Sequence, residues 1–176
     1  EFKYLGSLIT NDGSMTREIS ERITKAGAVV ARMRRNVFAV KAMSKEVKLR
    51  VYAASVISVL LYGSETWNVT AADIRRMESF HNRCLRCMFG ISRLTHLTNF
   101  ALRKLTGQQT IESMIMNNRL RWLGHVVRMA DERMPKRMMF AKLQTTRPAG
   151  GTKQRWKDCA QHDLRAMGVD VGWVWR

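Results

Sequence analysis

The chain has 176 residues, 45% of them hydrophobic, and only two prolines, which is material for one compact domain or two small ones burying roughly 70% of the unfolded surface. Such a composition excludes a largely disordered chain. Its 31 Lys and Arg against 14 Asp and Glu leave a formal charge of +17, and an excess of one sign points to a polyanionic partner, nucleic acid before an anionic membrane.

Phe2 to Thr10 alternates loosely and is bounded by Asn11-Asp12-Gly13, a strong turn signal, so this stretch reads as a strand or hairpin arm. From Thr16 the period changes. Ile19, Ile23, Ala26, Val30, Met33 and Val37 recur at steps of four and three, the stripe of an amphipathic helix that ends near Asn36 to Phe38. Ser44 is an N-cap, with Glu46 in the first turn where the helix dipole favours an acid, and the second helix runs to a stop at Gly63. Its apolar run, Ala53 to Tyr62, is about half the roughly 20 residues a membrane span needs and reads as a core helix.

Thr70-Ala-Ala-Asp73 resembles a capping box, and Ile74, Met77, His81, Cys84 and Met88 then space at helical intervals before Gly90. Between Ser92 and Gly107 the pattern is short and mixed, a turn and a brief helix. Another helix opens at Thr110 and continues through Ile111, Met114, Ile115, Asn118 and Trp122 to about Met129. The remainder is expected to split at Pro135 and again in a loop at Arg147 to Gly151, before a helix from Gln154 to Met167 that carries Trp156, Ala160, Leu164 and Met167 on one face and stops at Gly168. Between Arg133 and Lys157 there are eight Lys or Arg residues and no acid, so the C-terminal region is a basic, loop-rich segment. No fixed-period repeat emerges.

The sequence argues against catalysis. Two-metal phosphoryl transfer needs convergent carboxylates, yet no Asp-Asp pair occurs, and Asp131-Glu132 reads as a solvated turn beside basic residues. No serine carries a nucleophile-elbow pattern, and Gly150-Gly151-Thr152-Lys153 lacks the strand and spacing of a P-loop. His81, Cys84 and Cys87 lie at steps of three on the third helix and are weak metal candidates. A tetrahedral site would need a fourth ligand from Cys159 or His162, and packing of Cys84 in the core with His81 at its edge is the preferred reading. The three cysteines have no framework spacing and fit a reducing compartment. No secretory leader is evident, and a chain that starts at Glu1 is expected to be a fragment of a longer, intracellular and nuclear protein.

Arginine placement favours nucleic-acid contact. Arg32, Arg34 and Arg35 cluster late in the first helix, and Arg75, Arg76, Arg83 and Arg86 lie on the third helix away from its apolar stripe, as in a helix that tracks a phosphate backbone. Arg119, Arg121 and Trp122, and likewise Arg155, Trp156 and Lys157, interleave cation and indole, a pattern suited to stacking on unpaired bases. Each tryptophan also falls on an apolar face, where core packing is the commoner role.

Several strings in order resemble the C-terminal part of non-LTR retrotransposon endonuclease-reverse transcriptases of LINE type. Phe2-Lys-Tyr-Leu-Gly-Ser-Leu-Ile-Thr10 looks like the strand after the catalytic palm, and Leu60-Leu-Tyr-Gly-Ser-Glu-Thr-Trp67 like a signature of the helical thumb region. Asn82 to Arg86, Thr98-Asn99, Arg119 to His125 with Arg128-Met129, and Arg155 to Asp158 follow in the family's order. The resemblance implies a multidomain parent that nicks DNA and copies RNA, an RNA-directed DNA polymerase using Mg2+. The endonuclease and the paired palm aspartates are not matched here, so the fragment is expected to have no catalytic residues and no cofactor of its own. It departs from the Cys-Cys-His-Cys knuckle that some of these families place in their C-terminal region.

These observations predict a mainly α fold, a thumb-like bundle of five or six helices with an N-terminal strand or hairpin and a basic C-terminal segment. The expected divisions are 1–13 as the terminal strand of a palm, 14–107 as a helical thumb-like region and 108–176 as a basic helical extension. The expected partners are RNA, DNA or an RNA–DNA hybrid and the parent's palm, with no membrane. The alternatives are a structural or protein-interaction remnant of a transposable element and a zinc-dependent nucleic-acid module.

Overall fold

The computed structural model describes residues 1–11, 13–141, 155–169 and 172. Two short strands, β1 (Phe2–Tyr4) and β2 (Ser7–Ile9), pair antiparallel with Tyr4 opposite Ser7. Leu5 and Gly6 alone turn the chain, both at positive φ (+45° and +85°), as a two-residue hairpin turn requires. The sequence pattern placed the turn signal at Asn11-Asp12-Gly13, and the hairpin closes earlier than that. A leucine in the left-handed region is held by its surroundings. The Tyr62 hydroxyl donates to the Leu5 carbonyl at 3.0 Å and Arg22 donates to the Gly6 carbonyl at 2.7 Å.

Eight α segments follow among the described residues. They are α1 (Thr16–Met33), α2 (Lys45–Tyr52), α3 (Ser58–Leu60), α4 (Ala71–Phe89), α5 (Asn99–Thr106), α6 (Ile111–Val127), α7 (Met134–Phe140) and α8 (Trp156–Ala166). A π-helical turn at Arg34–Phe38 extends α1, and another at Ala53–Ile57 joins α2 to α3 in one helical run. The protein is therefore mainly helical with an N-terminal hairpin, as its periodicity predicts. Start signals are local and chemical: the hydroxyls of Ser44, Thr70, Thr98 and Thr110 accept backbone N–H groups from the first turns of α2, α4, α5 and α6, each cap worth about 1 kcal/mol. Gly63 and Gly90 supply the positive φ that ends the second and third predicted helices.

Two expectations change. Pro135 opens α7 within its first turn rather than splitting the segment, because the amide that proline lacks has no helical partner there. Met167 is 57% exposed, since α8 ends at Ala166 and the predicted stripe loses its last member. The predicted loop at Arg147 to Gly151 lies outside the described residues.

Ile19, Tyr52, Leu60, Trp67, Met77, Leu85, Leu102 and Ile111 form the centre of the larger core, which α1 to α6 share. A smaller cluster joins Leu123 of α6 to Ala160 and Leu164 of α8, with Trp156 packed against it. Helix α6 therefore belongs to both, Ile115 facing one cluster and Leu123 the other.

The hairpin is tied to α1 by an ion pair. Glu18 and Arg22 are 1% and 5% exposed, Arg22 Nε donates to Glu18 Oε1 at 2.6 Å, and the Leu8 amide donates to Glu18 Oε2 at 2.6 Å. The Arg22 guanidinium also lies 4.6 Å from the centre of the Tyr62 ring. Removing one partner of such a pair strands a buried charge and costs about 3–5 kcal/mol. Arg22→Met is expected to lower unfolding stability in urea by about that amount, with partial recovery on adding Glu18→Gln. A loss below about 1 kcal/mol would mean that apolar contact alone seats the hairpin.

Candidate nucleic-acid interface

Helix α4 separates apolar and cationic faces along its whole length. Successive residues turn by about 100°, which puts Arg75, Arg76, Arg83 and Arg86 within an arc of about 100°. Met77, Phe80, His81, Cys84, Leu85 and Met88 are buried on the other side. The four arginines differ in freedom. Arg76 reaches Asp73 at 3.4 Å and the Ser20 hydroxyl at 2.7 Å, and Arg86 donates to the Leu97 carbonyl and to Asn99. Arg75 and Arg83 are exposed and enter no ion pair among the described residues; Arg83 lies 5.9 Å from the Phe80 ring centre.

Helix α1 packs on α4 in the same direction. Thr16 bonds Asp73, Ser20 bonds Arg76, and further along the Gly27 backbone lies against Phe80. The π-turn that ends α1 also packs against α4. Arg32, Arg34 and Arg35 are exposed and thus sit toward the end of α4 that carries Arg83 and Arg86. Seven of the predicted arginines gather on this pair of helices, and those without acidic partners are available to a phosphate backbone.

The predicted residues on α6 and α8 divide differently. Arg119, read from the sequence as a contact residue, is 5% exposed. Its guanidinium pairs with Asp163 of α8 and donates to the Trp67 carbonyl, so it belongs to the helix packing and not to the surface. Trp156 is half-buried and donates its indole N–H to the Glu65 carbonyl at 2.7 Å. Arg155 is exposed at the start of α8, where its amide is capped by Asp158 at 2.9 Å, and Lys157 is half-buried. Arg121 is exposed beside half-buried Trp122. These two share a cleft of about 490 Å³ with Glu65, Asn118, His125 and Arg128. Asn118, His125 and Arg128, which are not among the predicted contact residues, lie on the same helical face as Arg121 and Trp122 by their spacing.

The metal candidates separate as well. His81 Nδ1 bonds the Tyr52 hydroxyl at 2.9 Å in the core, Cys84 is buried, Cys87 is exposed, and Cys159 donates its thiol to Asn68 at 3.3 Å. Among the described residues no three His, Cys, Asp or Glu side chains are placed to hold a metal ion. Burial, aided by the charge of Arg103, pushes the His81 imidazole down to about 4. Burial pushes the Cys84 thiol up to about 11 against the opposing pull of Arg83, and it raises Tyr52 as well. No helix among the described residues is long and apolar enough to cross a membrane.

Over nearly its whole length the chain is similar to an uncharacterized protein of Caenorhabditis elegans described as transposon-derived, at 25% identity over 175 residues. The match covers 97% of this chain and 62% of the relative, so the chain spans less than two thirds of that protein's length. The similarity supports a transposable-element origin. No protein-family model matches the chain, and no solved structure does.

His81 makes the core sensitive to acid. Its folded pKa of about 4 lies below the ordinary 6.5, so the folded state prefers the neutral ring. The stability this contributes is complete above pH 6.5 and is lost as pH falls toward 4. The loss is on the order of 3 kcal/mol from the size of the shift. Urea unfolding of the wild type should weaken between pH 6.5 and 4.5, whereas His81→Phe should show a flatter profile over that window. Parallel profiles would contradict a neutral buried imidazole.

Proposed function

We propose that this chain is the thumb and post-polymerase region of a non-LTR retrotransposon reverse transcriptase and that it holds the template-primer through phosphate contacts. The carrying observation is the arginine arc of α4, extended by Arg32, Arg34 and Arg35 at the end of the helix packed beside it, in a chain of net charge +17. Lysines scattered over a surface keep a protein soluble; arginines gathered on two adjacent helices present forked donors to one polyanion. The ordered strings that resemble the family, the similarity to a transposon-derived protein and the helical fold behind an N-terminal hairpin all support this reading. In it the chain supplies grip, and polymerisation belongs to the parent's palm with its Mg2+, in the nucleus where the element's target DNA lies.

Phosphate grip has a thermodynamic signature. Each phosphate neutralised releases counterions, and the logarithm of affinity falls with that of salt by about 0.9 per contact on B-form DNA. Anisotropy titrations with a blunt RNA–DNA duplex should show a steep salt slope. Replacing Arg32, Arg34, Arg35, Arg75 and Arg83 by Ala should reduce that slope by up to about 0.9 for each contact removed, with the helical circular-dichroism signal unchanged. A flat titration for the wild type would leave the chain a remnant without retained binding.

A further inference from the structure

We infer that the cleft on α6 is a subsite for an unpaired nucleotide, separate from the arginine face of α4. It rests on the nucleic-acid reading above and adds to it a place where a base leaves the stack. The cleft of about 490 Å³ lies in the size range of small-ligand sites. Its wall combines the three kinds of group that an exposed nucleotide needs. Trp122 and His125 place their rings 5.5 Å apart and tilted by 42°, an aromatic wall that is half-buried at the tryptophan and open at the histidine. Arg121 and Arg128 are exposed and enter no ion pair among the described residues. Asn118 and the half-buried Glu65 complete the lining.

Glycine shapes the site. A Cβ at position 124 would stand 3.0 Å from Arg128 Nη1, so the Arg128 side chain folds back along α6 over the bare backbone of Gly124. That places its guanidinium beside the cleft it lines. The single carboxylate decides the orientation of the occupant. Glu65 repels a phosphate and accepts hydrogen bonds from amino or imino groups of a base edge, so the base belongs beside Glu65, Asn118 and Trp122 and the phosphate beside Arg121 and Arg128. A duplex cannot use this arrangement, because its bases present no face to a tryptophan. A second hollow of about 310 Å³ shares Asn118 and Arg121 with the cleft and is lined further by Gln109, Met114 and Asn117. A single strand lying along α6 would meet both.

The test compares three fluorescent probes by anisotropy on the whole chain: a ten-nucleotide RNA, an abasic strand of equal length, and a blunt RNA–DNA duplex. Trp122→Leu is expected to weaken the RNA about 5- to 150-fold, the range for loss of one base–aromatic stack, and to leave the abasic strand and the duplex within about twofold. A wild-type strand carrying 5-iodouridine should photocross-link to Trp122 or His125, a readout that needs no variant. Unchanged RNA affinity in Trp122→Leu, an equal loss for the abasic strand, or cross-links confined to other elements would overturn the subsite while duplex binding with its salt slope still stands. Absence of binding to all three probes by the wild type would overturn both readings.

Discussion

The structure depends on satisfying one buried turn. Between Gly63 and Asn68 the chain leaves one helical run and approaches the next, and Ser64 and Trp67 are buried there. Backbone carbonyls in such a place need donors, and each one left without a partner costs about 1–3 kcal/mol. The donors come from far along the chain. Trp156 of α8 serves the Glu65 carbonyl, Arg119 of α6 serves that of Trp67, and Asn118 reaches the Ser64 hydroxyl at 2.8 Å. On the other side, Tyr62 and Arg22 hold the carbonyls of the hairpin turn, and the Gly63 backbone lies against Ser7. Hairpin, α6 and α8 are thus assembled around six residues.

This arrangement separates two populations of arginine. Arg22 and Arg119 are buried with carboxylate partners and carbonyl acceptors, contacts that offset the desolvation of a guanidinium, although Arg119 Nε has no partner among the described residues. Arg32, Arg34, Arg35, Arg75, Arg83 and Arg121 are exposed and keep their hydration, which in the proposed function a phosphate would replace. The strings that resemble the reverse-transcriptase family hold both kinds, with Arg119 buried and Arg83, Arg121 and Arg155 exposed. Tyr62, Gly63, Arg119 and Trp156 hold the turn and its neighbours together, so these recognisable residues maintain the shape that presents the others.

Much of the helical architecture is legible in the sequence because its signals are local. The stripe from Ile19 to Val37, the threonine caps at Thr70 and Thr110 and the stop at Gly90 each act within a few residues of themselves. The hairpin turn is not legible, because the groups that hold it are distant: Tyr62 bonds the Leu5 carbonyl from 57 residues away and Arg22 bonds the Gly6 carbonyl from 16 residues away. For the same reason Arg119 looked like a surface residue. Its partner Asp163 lies 44 residues on, and composition does not distinguish a buried arginine from an exposed one. The cleft on α6 was half legible: Arg121 and Trp122 stand out as a pair, whereas Glu65 joins them only through the docking of α6 on the turn.

The central claim is that exposed arginines bind while buried ones build, and arginine-specific modification read by mass spectrometry tests it directly. Treating the chain with phenylglyoxal, with and without an RNA–DNA duplex, should give fast modification of Arg32, Arg34, Arg35, Arg75 and Arg83 in the free protein and protection in the complex. Arg22 and Arg119 should resist the reagent in both. Equal modification of the exposed set with and without duplex, or ready modification of Arg119 in the free protein, would contradict the account.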